Sequence, residues 1–253
     1  MRTTTSSARI PAHWLAFASG LLLLATCMLA ASASAWVPHL APLFSAELKP
    51  DPEAALPAPT RYSFRNTHTT RMAGVDAPLR TRLETTVPAD LRDVLAFYRT
   101  ELGKLGWQEQ RDGAAVAAAD RVQLAFASPL GPAMLELSRK DGGTAVDLVQ
   151  RNREAATQAN VMPEPGQAAL MFTNLGDRDA VLVLDSRTIK LPARGGRERP
   201  QAPFFNLPPG QHAYALKVEG RPDRDATIDL SAGDAWDVSI GPDGELWSPL
   251  QLY

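Results

Sequence analysis

The chain has 253 residues, 45% of them hydrophobic and 21% charged, with a net charge of −2. That is material for two small globular domains, and so even a charge balance speaks against a nucleic-acid partner. A single cysteine, Cys27, excludes an intramolecular disulfide and a cysteine-ligated zinc, while 21 prolines favour turns and a linker over long helices.

Residues 1–35 read as an export signal. Arg2 and Arg9 are the only charges before residue 36, the apolar run Trp14–Ala30 follows, and Ala33-Ser34-Ala35 supplies a small-x-small cleavage pattern. Two other readings stay open. Residues 14–36 are long enough to span a bilayer uncleaved, with a tryptophan at each end. Leu24-Ala25-Thr26-Cys27 resembles a bacterial lipoprotein box. Each of the three places the rest of the chain outside the cytoplasm. Residues 36–60 carry Pro38, Pro42, Pro50, Pro52, Pro57 and Pro59 among alanines, and such a segment is expected to be an extended, semi-rigid spacer.

Residues 61–155 are expected to form an α+β domain. Arg80–Val87 (RTRLETTV) alternates as a strand does and leads through Pro88 into a helix. In that helix Leu91, Val94, Leu95, Tyr98, Leu102 and Leu105 recur every three or four residues and form one apolar stripe. Asp90 is the N-cap candidate, Lys104 lies in the last turn, and Gly106 follows where a left-handed residue ends many helices. Strand candidates Arg121–Ala127, Met134–Ser138 and Ala145–Gln150 come next, separated by Pro129-Leu130-Gly131-Pro132 and by Asp141-Gly142-Gly143. One amphipathic helix must bury its stripe on the sheet that its neighbours make. The run from Met72-Ala73-Gly74-Val75 to Phe97-Tyr98-Arg99, Leu102 and Gly106-Trp107 resembles an uncharacterised exported bacterial module whose helix ends FYxxxLxxxGW; the resemblance implies a fold and transfers no activity.

Residues 156–165 read as a short polar joint between domains that should fold separately. Beyond it, strand candidates are Gln167–Asn174, Ala180–Asp185, Thr188–Leu191, Gln211–Glu219, Ala226–Leu230, Ala235–Ile240 and Glu245–Tyr253. Seven short strands at this spacing predict an all-β sandwich over residues 166–253. Trp236, Val238 and Ile240 should face inward and Asp237 and Ser239 outward. Val181–Asp185, then Phe205-Asn206-Leu207-Pro208-Pro209-Gly210-Gln211-His212, then Ile228-Asp229-Leu230-Ser231-Ala232-Gly233 are similar to PEGA-type domains, small sandwiches of bacterial surface proteins. That resemblance implies a structural or recognition module. The chain end does not fit the last strand of an outer-membrane barrel, because Gln251 and Pro249 break the alternation before Tyr253.

Catalytic signatures are missing from the sequence: no HExxH, GxSxG, phosphate loop or GxGxxG is present. His68 and His212 fall in different domains, and His212 fits a packed residue on an apolar face. Asp177, Asp179, Asp223 and Asp225 sit in turn-rich stretches where Asp bonds nearby backbone. No cofactor or metal is expected. The candidate binding residues are Arg194, Arg197 and Arg199 in the loop 193–201, with Phe204 and Phe205 beside them. From 161 to 253 the chain holds nine Lys/Arg against thirteen Asp/Glu, so this loop is a local basic patch on an acidic body. The sequence thus predicts an exported, non-catalytic binding or scaffolding protein of the bacterial envelope. Its expected partner is an anionic envelope polymer or an envelope protein, with a possible membrane tether through residues 14–36. The alternative is an accessory subunit or weak hydrolase with its site in the cleft between the domains.

Overall fold

The computed structural model describes residues 47–110, 116–117, 120–195 and 203–253; the leader lies outside them. Among the described residues no helix is long and apolar enough to cross a membrane. The described residues are mostly β, with two helices and three sheets among them.

The first sheet contains β1 (Phe64–Thr70), β2 (Arg80–Val87), β3 (Gln108–Glu109), β4 (Val116–Ala117), β5 (Arg121–Ser128), β6 (Gly131–Lys140) and β7 (Gly143–Arg151). Its order is β1-β2-β7-β6-β5-β3, with β4 also on β5, and every pairing is antiparallel. Helix α1 (Leu91–Lys104) lies across β6 and β7. Its buried face is Leu91, Val94, Phe97, Tyr98 and Leu102, set against Leu83, Leu124, Phe126, Leu135, Leu137 and Leu148. The stripe therefore sits slightly differently from expectation. Phe97 is inside, whereas Leu105 is 54% exposed because the helix has already ended there. The helix closes as the sequence suggests: Gly106 has φ +77°, its N–H donates to the Gly103 carbonyl, and Trp107 N–H donates to the Leu102 carbonyl. These two bonds satisfy carbonyls that the last turn would otherwise leave bare. Asp90 holds the N-cap position, but its side chain makes no capping hydrogen bond.

The Asp141-Gly142 turn has positive φ at both residues, 21° and 77°, and joins β6 to β7 at the Lys140–Gly143 pair, as a two-residue hairpin requires. At the other end of the same strand pair Gly131 has φ +144°, and a Cβ there would stand 2.9 Å from the Arg151 carbonyl oxygen.

The proline-rich stretch departs from the expected open spacer over its described part. Residues 49–60 fold back on themselves: Asp51 N–H donates to the Ala58 carbonyl and Thr60 N–H to the Lys49 carbonyl. Leu56 and Ala58 enter the core under α1, and Arg65 clasps the turn through Asp51 and the Pro59 carbonyl. Burying those two apolar side chains favours a turn over an extended chain.

The second layer is sandwich-like. One sheet runs β10 (Arg187–Leu191), β9 (Ala180–Leu184), β12 (Gly210–Val218), β13 (Arg224–Leu230), all antiparallel. The other runs β11 (Phe204–Leu207), β8 (Ala168–Asn174), β14 (Ala235–Ile240), β15 (Leu250–Gln251). In it β8 and β14 pair in parallel, a connection the sequence did not announce. Leu170, Phe172, Leu182, Leu184, Tyr214, Leu216, Ile228 and Val238 fill the space between the sheets.

The segment predicted as a polar joint is neither open nor wholly polar. Helix α2 (Arg153–Gln158) is capped by Asn152, whose side chain accepts from Ala155 N–H. Ala155, Ala156, Ala159 and Val161 are buried with Leu79 from the first layer and Ala169, Met171, Ala235, Leu252 and Tyr253 from the second. Arg151 pairs with Asp234 across the same junction at 2.7 Å and lies over the Tyr253 ring. The cleft imagined between domains is thus filled by apolar side chains, and residues 47–253 share one continuous body in their described parts.

Candidate functional site

The sandwich ends in loops opposite the junction. Three of them, after β8, after β12 and after β14, enclose a cavity of about 210 Å³ lined by Asn174, Gly176, Asp177, Arg178, Arg221 and Asp243, among others. Asn174 frames this end. Its side-chain nitrogen donates to the carbonyls of Arg178, Leu191 and Pro192, and its oxygen accepts from Gly176 N–H. A buried amide with every polar atom committed holds the loop rigid. Arg178 is tied by Nη1 to the Glu219 carbonyl at 2.9 Å, whereas Arg221 makes no side-chain hydrogen bond or ion pair among the described residues.

The beginning of the predicted basic loop reaches this rim. Arg194 N–H donates to the Gly176 carbonyl, and Ala193 N–H donates to Asp179 Oδ1. Arg194 is exposed and adopts φ +56°. Arg197 and Arg199 lie outside the described residues. Phe204 and Phe205 do not form one aromatic patch: they occupy opposite faces of β11, both partly buried. Phe205 packs edge-on against Phe172 in the sandwich, and Phe204 packs into the junction. The exposed aromatic near the cleft is Trp247, 48% exposed, whose indole lies over Gly241 so closely that a Cβ there would be 2.5 Å from Nε1. Sequence reading missed Arg178, Arg221 and Trp247. The arginines sit in turn-rich stretches with no period to mark them, and Trp247 sits in what reads as a strand.

His212 has both ring nitrogens engaged, with Nδ1 2.9 Å from Asp185 Oδ2 and Nε2 2.9 Å from the Pro208 carbonyl. Burial works against its charge, but the hydrogen bonds to Asp185 and Pro208, with the carboxylate's attraction, raise its pKa above the ordinary 6.5. With an acceptor 2.9 Å from each nitrogen, the ring clamps the Pro208-Pro209-Gly210 turn to Asp185, and both nitrogens are occupied within the fold. His68 is exposed and sits 3.7 Å from Glu84.

Asp237 corrects an expectation of the sequence. It is 8% exposed and accepts from Thr173 Oγ1 at 3.0 Å and from Ser239 Oγ at 2.5 Å. Its outward-facing register is real, but that face is covered. Burial raises its pKa, and the two hydroxyl bonds only partly offset this. Among the described residues no group of three or more His, Cys, Asp or Glu side chains is placed to hold a metal ion.

The fold and this cleft define a mostly β protein with a polar, loop-built recess at one end of a sandwich. No protein-family model matches the chain, and no curated protein matches its sequence.

Proposed function

We propose that this is an exported, non-catalytic binding protein of the bacterial envelope, and that the loop end of the sandwich receives an anionic polymer. The observation that carries the reading is the pairing of Arg178 and Arg221 on one small cavity, with Arg194 anchored at its rim through Gly176. A cavity this size admits one charged group or one ring, not a drug-sized ligand, which suits a repeating chain read one unit at a time. Exposed Trp247 offers a flat apolar face beside it. Asp177 and Asp243 share the lining and restrain binding to ligands that reach the arginines. The basic loop with Arg197 and Arg199, the PEGA-like character of residues 166–253 and the leader at 1–35 belong to the same proposal. They rest on the sequence.

Binding carried by exposed arginines weakens as salt rises. Retention on immobilised alginate, a polycarboxylate, should be strong at low ionic strength and lost at high. Arg178→Ala with Arg221→Ala, and separately the triple change to alanine at Arg194, Arg197 and Arg199, should each reduce retention. Full retention by both variants at low salt would remove the cleft and the loop from consideration. Export is checked by mass spectrometry of the envelope fraction, where the expected N-terminus is near Trp36; an intact leader would favour the membrane tether.

A further inference from the structure

Away from that cleft, on the face of the first sheet not covered by α1, three arginines stand together. Arg80 is opposite Arg151 across the β2–β7 ladder, and Arg82 is two residues further along the same face. Two of them are satisfied. Arg82 meets Asp147 through two hydrogen bonds of 2.9 and 2.6 Å and reaches Glu84 at 3.0 Å, and Arg151 meets Asp234 at 2.7 Å. Arg80 is different. It is partly buried, its Nε is shut off from solvent without an acceptor, and its side chain makes no hydrogen bond or ion pair with any described residue. Asp147 and Asp234, the carboxylates whose charge it feels, are already bonded to Arg82 and Arg151.

A guanidinium carries five N–H donors in a rigid plane and stays charged in a protein. Holding Nε out of water with no acceptor raises the cost of the charge, and an anion on the solvent-reached Nη edge would offset it. We infer that Arg80 is the centre of an oxyanion site at the junction of the two layers, taking a carboxylate or phosphate group on the Nη edge of its guanidinium. Thr70, directly opposite Arg80 on β1, and Arg151 on β7 flank the position, so the ligand would touch both the first sheet and the residues that hold the second layer to it. The local field agrees. Burial lowers the Arg80 pKa first, and the charges of Arg82 and Arg151 lower it further than Asp147 and Asp234 restore it. This site is independent of the cleft at the sandwich's far end and would stand if that reading failed.

The test uses the full chain in neutral detergent, with thermal melts in inorganic phosphate and in acetate, each against chloride at matched ionic strength. Excluded salts raise Tm gradually in any protein, whereas a site saturates. The wild type should show a saturable rise in Tm with at least one of the two anions. Arg80→Met should require about tenfold more anion or lose the saturable part, the weight of one charge-assisted contact, and Arg80→Lys should retain part of it. In anion-free buffer Arg80→Met should melt no lower than the wild type, since it discards an unpaired charge. A second readout does not depend on any variant folding: the Arg80 Nε–H resonance of the wild type should shift saturably during the titration while that of exposed Arg92 does not. A response to phosphate alone, or to acetate alone, identifies the group. The same Tm response in Arg80→Met and wild type, or no saturable shift at Arg80 with either anion, overturns the inference.

Discussion

Arg151 Nη2 lies 2.7 Å from Asp234 Oδ1, so the last strand of the first sheet holds the turn that opens β14 in the second layer. The pair is only partly exposed, and the same Asp234 carbonyl accepts from Ala169 N–H, which ties it to β8 as well. The expected outcome is that the two layers melt together. Variants retaining only Trp107 in the first layer or only Trp236 in the second should report coincident urea transitions. Asp234→Asn should lower both midpoints, by a cost of about 1–3 kcal/mol for the charge left behind on Arg151. Two separate transitions would mean that the shared apolar cluster contributes little.

His212 and Asp185 should make stability depend on pH in opposite senses. Asp185 is held below its ordinary 3.8, first by the hydrogen bond to His212, so its contribution is present above about pH 4 and is lost as pH falls through the folded value. His212 is raised above 6.5, so its contribution is complete below that value and fades as pH climbs through the folded pKa. Wild-type stability should therefore decline on the alkaline side of pH 6.5, and His212→Asn should flatten that decline. Denaturation midpoints from pH 5 to pH 9 check it; equal slopes would show that the ring is neutral in the fold.

Asp237 predicts a substitution that helps. A carboxylate whose folded pKa lies above its ordinary 3.8 favours folding when protonated and opposes it once ionised. Asp237→Asn keeps the shape, and the Ser239 hydroxyl can turn to accept from the new amide. The variant should exceed the wild type in stability at pH 7, with the advantage shrinking toward pH 3. A loss of stability at pH 7 would show that the charge itself is needed there.

Two glycines should respond to alanine unequally. Gly131 combines φ +144° with the Arg151 carbonyl only 2.9 Å from a new Cβ, whereas Gly210 combines φ +133° with open space. Gly131→Ala should therefore cost more than Gly210→Ala. The backbone strain alone in Gly210→Val should be about 1–3 kcal/mol. Chemical denaturation of the three variants would order them.

Where burial and period coincide, the sequence was easy to read. Arg80–Val87 and Ala235–Ile240 are strands with the bounds their alternation indicates, and Leu91 to Leu102 lie on the helix face their spacing demands. Illegible elements owe their form to contacts from elsewhere. β1, FRNTHTT, has no apolar alternation because it is an edge strand paired on one side only. Leu56 and Ala58 are buried by a core that the proline-rich stretch does not itself encode. Glu245–Tyr253 reads as one strand candidate despite its broken alternation, yet only Leu250–Gln251 pairs as one with β14, apart from the Ile240–Leu246 bridge. In the cleft, Arg178 and Arg221 are 43 positions apart in loops, and loops carry no period that would bring them together on paper.

The parallel pairing of β8 with β14 has a consequence for the order of events in folding. Ala169 meets Ala235, and between them the chain must first travel through β9 to β13. Closing so distant a contact is entropically slow, whereas α1 and the β5-β6-β7 meander can form from neighbours. During synthesis the first layer can thus assemble while the second is still incomplete, leaving Leu79, Ala155 and Val161 uncovered until Leu252 and Tyr253 arrive. Leu252 and Tyr253 are among the residues that seal the body. A chain interrupted before Leu252 would keep a sticky apolar flank, the kind of surface that chaperones bind.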